Sequence, residues 1–477
     1  MPLQKNSSYY SKNTFFFCFS LAIAALIWCL PAPEGIQQNA IQLLSIFVFA
    51  IIGIITKPFP MGVISLLSLC FVTLTKTLTF EQAFSGFNHP VVWLILFAFF
   101  IARGFIKTGL GERIAYLMMS YLGTSTLGMG YGLVLTDLIL APAIPSVTAR
   151  MGGVVYPILT SLAKAFGSDP VKSPRKLGAY LIQVSFQGSL ITSAMFLTSM
   201  AGNPLIADFA KAVGVNISWG TWALAASIPG ILSLILMPLI LYKIYPPEVK
   251  KTPDAAKYAK EKLQKMGKIT RNESVLIVSF ILLITLWVIG PYISLSATVA
   301  ALIGLCILLI SSVLTWEDIL NEKGAWNIFI WFSTLVMLAS FLNELGLTNW
   351  FSLWISQSIM ELNWMIAFGL IAVVYYYSHY FYASNVAHIG SMLPPFLALS
   401  IFVGTPPTIA ALTLGFFSSL FGGLTHYGCG PAPIFYGAGY VTISDWWRLG
   451  FILSLFYIFT WLCIGGLWWN LIGLISI

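Results

Sequence analysis

The sequence predicts an all-α polytopic membrane protein, with about eleven transmembrane helices and two re-entrant hairpins in an inverted repeat. Three observations carry that prediction. The first is composition: of 477 residues, 58% are hydrophobic and only 8% charged, with mean hydropathy +0.88. A soluble surface draws on about 25% charged residues. The second is the spacing of apolar runs, since a spanning helix needs ~20 apolar residues. Runs bounded by polar, Gly or Pro punctuation fall at 13–31, 37–56, 60–76, 90–107, 177–202, 219–245, 273–291, 295–315, 325–343, 405–440 and 448–475. The third is a pair of stretches, 127–166 and 365–402, each as long as two short helices and broken near its middle by a polar cluster. Non-helical backbone at membrane depth survives only where it is buried in protein or lines a cavity. Together these exclude a soluble enzyme, a disordered chain and a secreted disulfide scaffold.

The elements follow in order. The leader MPLQKNSSYYSKN runs into the first apolar helix without a convincing cleavage site and is too short for a transit peptide, so 1–36 reads as an N-terminal segment with one span. Residues 37–245 form the first repeat, with hairpin 127–166 and a broken helix at 177–210. Residues 246–272 form a basic linker. Between 243 and 273 lie Lys243, Lys250, Lys251, Lys257, Lys260, Lys262, Lys265, Lys268 and Arg271, whereas beyond Asn272 only Lys323 and Arg448 are basic. Such clustering, in a chain of net charge +8, marks a cytoplasmic loop and not a nucleic-acid surface. Residues 273–477 form the second repeat, with hairpin 365–402 and a broken helix at 405–440. Six single cysteines sit in apolar runs without a Cys-x-x-Cys pair, which points to packing and not to redox or metal chemistry.

The two hairpin clusters match. Ser146-Val147-Thr148-Ala-Arg150-Met-Gly152 aligns with Ser384-Asn385-Val386-Ala-His388-Ile-Gly390, and a proline follows each serine at Pro157 and Pro395. Lys107-Thr-Gly109-Leu110 meets Glu344-Leu-Gly346-Leu347, and Trp93 meets Trp326. An odd number of spans per repeat makes the second copy enter from the opposite side. Inverted repeats with broken segments at matching positions are the signature of a secondary transporter whose site lies near the midplane.

The candidate chemistry sits at those breaks. Hydroxyls, an amide and free backbone N–H groups at the hairpin tips (Ser146, Thr148, Ser384, Asn385) can hold carboxylate oxygens. Back-bonding to helix carbonyls is the bland alternative. A second pair of breaks, Thr198-Ser-Met-Ala-Gly202-Asn203-Pro204 and Thr425-His426-Tyr-Gly428-Cys-Gly430-Pro431, unwinds helix and frees carbonyls for a cation or N–H groups for an anion. The alternative there is a simple kink. Arg150 and His388 each follow a tip serine by four residues, and charge at mid-membrane is costly enough to suggest function. Arg150 could instead snorkel or pair with Asp137, and His388 could be a satisfied core histidine. Together they favour an anionic substrate. Enzyme motifs are absent, and four histidines lack zinc-site spacing.

FNHPVVWLILFAFFIARGFIKTGLGERIA, LAPAIPSVTARMGGVVYPI, MFLTSMAGNPL, YASNVAHIG and LTHYGCGPAPIFYGAGY together resemble the divalent anion/sodium symporter family, and within it the 2-oxoglutarate/malate translocator branch of plastid envelopes and some bacteria. The resemblance runs from about residue 37 to the end. It implies a scaffold-plus-transport fold of elevator type, usually a homodimer in the lipid bilayer, with C4/C5 dicarboxylates as substrates and no nucleic-acid partner. It implies a bacterial inner membrane or, alternatively, a plastid inner envelope. The family's Ser-Asn-Thr tips map onto Ser146-Val147-Thr148 and Ser384-Asn385-Val386. Val147 lacks the amide and Val386 the hydroxyl, which leaves at most a weak sodium site near Ser146, Gly202, Asn385 and Gly428. With Arg150 and His388 supplying permanently what sodium supplies in symporters, the expected activity is 2-oxoglutarate/malate exchange without a cofactor. Substrate contacts would also come from Gly202, Asn203, Pro204, Thr425, Gly430 and Pro431. A sodium-coupled dicarboxylate symporter and an arsenite or sulfate permease are the alternatives.

Overall fold

The computed structural model describes residues 4–347, 350 and 363–474. Its longer helices run in chain order: α1 (Gln4–Trp28), α2 (Gln38–Thr56), α3 (Met61–Leu74), α4 (Pro90–Thr108), α5 (Leu110–Leu122), α6 (Thr126–Leu140), α7 (Tyr156–Ala165), α8 (Gly178–Met195), α9 (Gly202–Ala212), α10 (Trp219–Ile244), α11 (Pro253–Met266), α12 (Arg271–Ile289), α13 (Ala297–Ile310), α14 (Lys323–Glu344), α15 (Trp364–Tyr377), α16 (Asn385–Phe402), α17 (Pro407–Leu420), α18 (Ile443–Phe459) and α19 (Gly465–Leu471). Among the described residues the molecule is all-helical, apart from one isolated bridge between Ser125 and Lys251. Many starts carry a hydroxyl cap that satisfies the orphan N–H groups of the first turn. Ser125 accepts from Gly128 N at 3.0 Å. Thr270 and Glu273 form a reciprocal capping box that opens α12.

Eight described helical segments are long and apolar enough to cross a membrane: Gln38–Thr56, Pro90–Thr108, Trp219–Ile244, Arg271–Ile293, Lys323–Glu344, Trp364–Phe381, Asn385–Phe402 and Ile443–Leu471. Five apolar helices are shorter: Asn13–Trp28, Met61–Leu74, Thr126–Leu140, Ala297–Ile310 and Pro407–Gly423. The helical path is interrupted at Ala141–Ser146, where Pro142 and Pro145 cannot donate to a ladder, and again at 196–201 and 424–431. Between α15 and α16 it narrows to a 3-10 turn at Ser378–Phe381. After the first interruption come a four-residue helix, Val147–Arg150, and a π-turn, Met151–Val155, which leads into α7.

The chain divides into two compact units. One comprises Met1–Leu96, Lys323–Ile371 and Val386–Thr405; the other comprises Phe97–Glu322, Ala372–Asn385 and Pro406–Ile477. In the first, the Ser45 hydroxyl of α2 donates to the Ala24 carbonyl of α1 at 2.6 Å. Gly86 lies so close to α14 that a Cβ there would stand 2.0 Å from the Ser333 carbonyl oxygen. The second unit is built around α8, every residue of which is buried. A helix buried on every face belongs in the middle of a bundle, and α6, α10 and α17 pack against it. The basic linker contains a helix of its own: α11 lays Ala255, Ala256 and Ala259 against α5 and keeps its lysines outward.

Candidate functional site

In the larger unit, the first tip is made by the turn after α6. Ser146 caps the short helix: its Oγ accepts from Ala149 N at 3.2 Å and its carbonyl from Arg150 N at 2.9 Å. Val147 is half-buried and Thr148 exposed. Arg150 is fully buried. Its Nε donates to Asp137 Oδ1 at 2.5 Å. Its Nη1 donates to the carbonyls of Ile144 at 2.8 Å and Ser199 at 3.0 Å. Its Nη2 donates to Ser193 Oγ at 3.0 Å and Thr192 Oγ1 at 3.4 Å. A guanidinium has five N–H donors in a planar fork, and these bonds place all five. The Thr192 hydroxyl donates to the other Asp137 oxygen. The charge is thus paired, and its free face is spent on one carbonyl from the tip and one from the first helix break.

That break is held by side chains. Where α8 stops at Met195 its last carbonyls lose their helical donors. Asn203 Nδ2 donates to the Ser193 carbonyl at 2.7 Å and the Phe196 carbonyl at 2.8 Å. Ser199 Oγ lies 2.6 Å from the same Ser193 oxygen. The Thr198 hydroxyl donates to the Pro142 carbonyl at 2.8 Å, a second tie between break and tip. Gly202, Asn203 and Pro204 are all buried at the start of α9.

The second break lies beside Asn385. His379 Nε2 stands 2.8 Å from the Gly428 carbonyl. A carbonyl only accepts, so Nε2 carries the proton. The ring stacks on Phe421 at 3.8 Å. Asn385 Nδ2 donates weakly to Met200 Sδ at 3.6 Å, whereas its Oδ1 and the buried Thr425 Oγ1 have no hydrogen-bond partner among the described residues. Two glycines bring these atoms to the backbone. A Cβ on Gly422 would stand 3.2 Å from Asn385 Oδ1, and one on Gly428 would stand 3.0 Å from Thr425 Oγ1 and 3.1 Å from the Gly422 carbonyl. A Cβ on Gly430 would stand 2.1 Å from Thr148 Oγ1, so the first tip touches the second break there. Ser419 Oγ donates to Asn203 Oδ1 at 3.5 Å.

One neighbourhood of this unit therefore gathers Ser146, Thr148, Arg150, Asn203, Asn385, Thr425, Gly428 and Gly430. Gly202, Pro204 and Pro431 are its buried neighbours in sequence, and half-buried Ser384 precedes Asn385. Half-buried Val386 and fully buried His388 belong to the smaller unit. Sequence reasoning passed over Thr192, Ser193 and His379. The signal for the first two was the recurrence of polar residues along this span, Gln183, Ser185, Gln187, Ser189, Thr192 and Ser193.

Unpaired oxygens at Asn385 and Thr425, with the Gly422 carbonyl, suit a hard cation or the hydroxyl and carboxylate of an organic anion. The equivalent place between the Ile144 and Ser199 carbonyls is filled by Arg150.

Residues 11–475 match the family described as "Sodium:sulfate symporter transmembrane region". The putative malate transporter YflS of Bacillus subtilis is 53% identical over 457 residues, 95% of this chain and 96% of that protein. Dicarboxylate transporter 1, chloroplastic, of Spinacia oleracea is 50% identical over 459 residues, 95% of this chain and 81% of that protein. Inner membrane protein YbhI of Escherichia coli is 37% identical over 460 residues, 95% of this chain and 96% of that protein. Among solved structures, the fold is similar to that of the Alcanivorax borkumensis YdaH transporter, with a TM-score of 0.59 and 13% identity, covering 97% of this chain and 98% of that one. Neisseria gonorrhoeae MtrF gives a TM-score of 0.57 at 12% identity, covering 96% and 94%.

Proposed function

The chain belongs to the sodium:sulfate symporter family, and from that premise we propose that it carries C4/C5 dicarboxylates across a bacterial cell membrane by exchange, 2-oxoglutarate against malate. It is a multi-span membrane transporter and not an enzyme, and dicarboxylates are its substrate class. One observation carries the exchange reading: the Arg150 guanidinium bridges the Ile144 and Ser199 carbonyls. Freed carbonyls of a hairpin tip and a helix break are what a mobile cation would use. Here the cation is part of the chain and cannot be exchanged with solution, so a sodium gradient has no purchase on that position. Asn385, Thr425, Ser146 and Thr148 are the groups left to receive substrate oxygens. The working unit is a homodimer.

The unpaired oxygens at Asn385 and Thr425 favour a second reading, sodium-coupled symport through that position alone. Counterflow in proteoliposomes separates the two. Radiolabelled malate should enter vesicles loaded with 2-oxoglutarate in sodium-free buffer, with sulfate and arsenite failing to compete. Uptake into vesicles holding no dicarboxylate, driven by an inward sodium gradient, overturns exchange.

A further inference from the structure

We propose that the smaller unit binds one phospholipid, whose acyl chain fills a cavity between α2, α14 and α16. The cavity measures about 580 Å³, and its described lining carries no charged side chain. The hydroxyl of Ser391, on its wall, is turned onto the Ala387 carbonyl at 2.8 Å. At ~30 Å³ each, about twenty waters would fit that volume, but a buried water needs two to four polar partners, and the described lining does not supply them. The medium around a membrane-spanning chain is hydrocarbon, and hydrocarbon is what such a wall takes.

The shape selects an acyl chain. α2 lines the cavity from Ile41 to Ile51, which at 1.5 Å per residue is about 15 Å of helix. One leaflet contributes half of a ~30 Å hydrocarbon core, the same length. The cavity reaches Leu30, Pro31 and Pro33, in the loop between α1 and α2, where Leu30 is 54% exposed. A headgroup can emerge at that end. Residues 29–38, CLPAPEGIQQ, include no lysine or arginine and one carboxylate, exposed Glu34. Such a mouth disfavours an anionic headgroup and accepts an ethanolamine. Opposite α2, the wall is formed by α16 around Pro394 and Pro395. Proline has no N–H, so Pro394 cannot supply the helical donor for the Gly390 carbonyl. The lipid chain therefore packs against the weakest turn of the helix that begins at the second tip.

Native mass spectrometry of the purified full-length protein tests this, with phosphatidylethanolamine and phosphatidylglycerol added back after delipidation. The expected result is one tightly held phosphatidylethanolamine per chain, at least tenfold preferred over phosphatidylglycerol. Val48→Trp and Leu44→Trp, at half-buried lining positions, each fill the cavity and should lose that lipid while the protein stays monodisperse. An unchanged lipid count in both variants overturns the proposal. So does a result in which both variants keep the lipid and lose the dimer, because the cavity would then be covered by a second copy. Preferential retention of phosphatidylglycerol overturns the headgroup assignment. None of these readouts involves dicarboxylate, so their failure is separate from failure of the exchange reading.

Discussion

Arg150 and Asp137 illustrate how a buried charge constrains its neighbours. Removing one partner of a buried ion pair costs about 3–5 kcal/mol, because the other charge is left uncompensated. Arg150→Ala should therefore both abolish counterflow and lower the thermal midpoint in detergent. The informative variant removes both charges. Arg150→Ser with Asp137→Asn empties the place between the Ile144 and Ser199 carbonyls without stranding a carboxylate. If the guanidinium stands in for a cation, counterflow by this double variant should rise with added sodium and not with added choline; equal rates in both salts would refute the substitution. Gly430 gives a steric test. A methyl there would stand 2.1 Å from Thr148 Oγ1, whereas one on Gly437 meets nothing within 4 Å. Gly430→Ala should cut exchange at least tenfold at unchanged expression, and Gly437→Ala should leave it within twofold. The sequence already suggested Asp137 as an alternative partner for Arg150. It could not choose between pairing and substrate contact, because thirteen positions of turn and helix separate the two residues. The structure shows the pairing, with Nε on the carboxylate, and turns Nη1 onto the freed carbonyls of Ile144 and Ser199.

At the scale of elements, the breaks are held open by bonds that a sequence does not announce. Proline and glycine told where helix must stop, but not that Asn203 would gather the Ser193 and Phe196 carbonyls. A hydrogen bond contributes about 0.5–1.5 kcal/mol net, and more when its loss strands a buried acceptor. Asn203→Ala, which loses two, should destabilise the larger unit by about 2 kcal/mol, read as a lower thermal midpoint with the oligomer intact. The linker was legible as basic but not as structured. The alanine stripe of α11 is narrow, and lysines on every other face mask its period. Asp318, outside the spans, accepts from Lys107 Nζ at the end of α4, at 2.5 Å. Partial burial pushes this carboxyl up, but the bonds from Lys107 and from the Thr315 N–H and hydroxyl outweigh it and hold it down at about 2, against an ordinary 3.8. A carboxylate held low in the folded state stabilises fully above its ordinary value, and that contribution fades as the pH falls toward about 2. Wild-type protein should thus lose thermal stability more steeply between pH 4 and 2 than Asp318→Asn, which lacks the titrating group; parallel curves would dismiss the contact.

At the scale of the whole molecule, apolar length reads out membrane residence. In the exchange reading no coupling ion enters or leaves at the first tip, so the only free energy available is that of the dicarboxylate gradients themselves. What then prevents simple leakage is the cost of moving the site empty. Asn385 Oδ1 and Thr425 Oγ1 are buried and have no hydrogen-bond partner among the described residues. A single unpaired polar group in an apolar setting costs about 3 kcal/mol, and a barrier raised by that amount slows the step about a hundredfold. The empty carrier should therefore return at about one hundredth of the loaded rate. Malate efflux from preloaded vesicles should accelerate by two orders of magnitude when 2-oxoglutarate is added outside. Thr425→Val, which removes one of the two unpaired groups while keeping volume, should raise unaccelerated efflux and shrink that ratio. A ratio unchanged in Thr425→Val would place the barrier to empty return elsewhere in the protein.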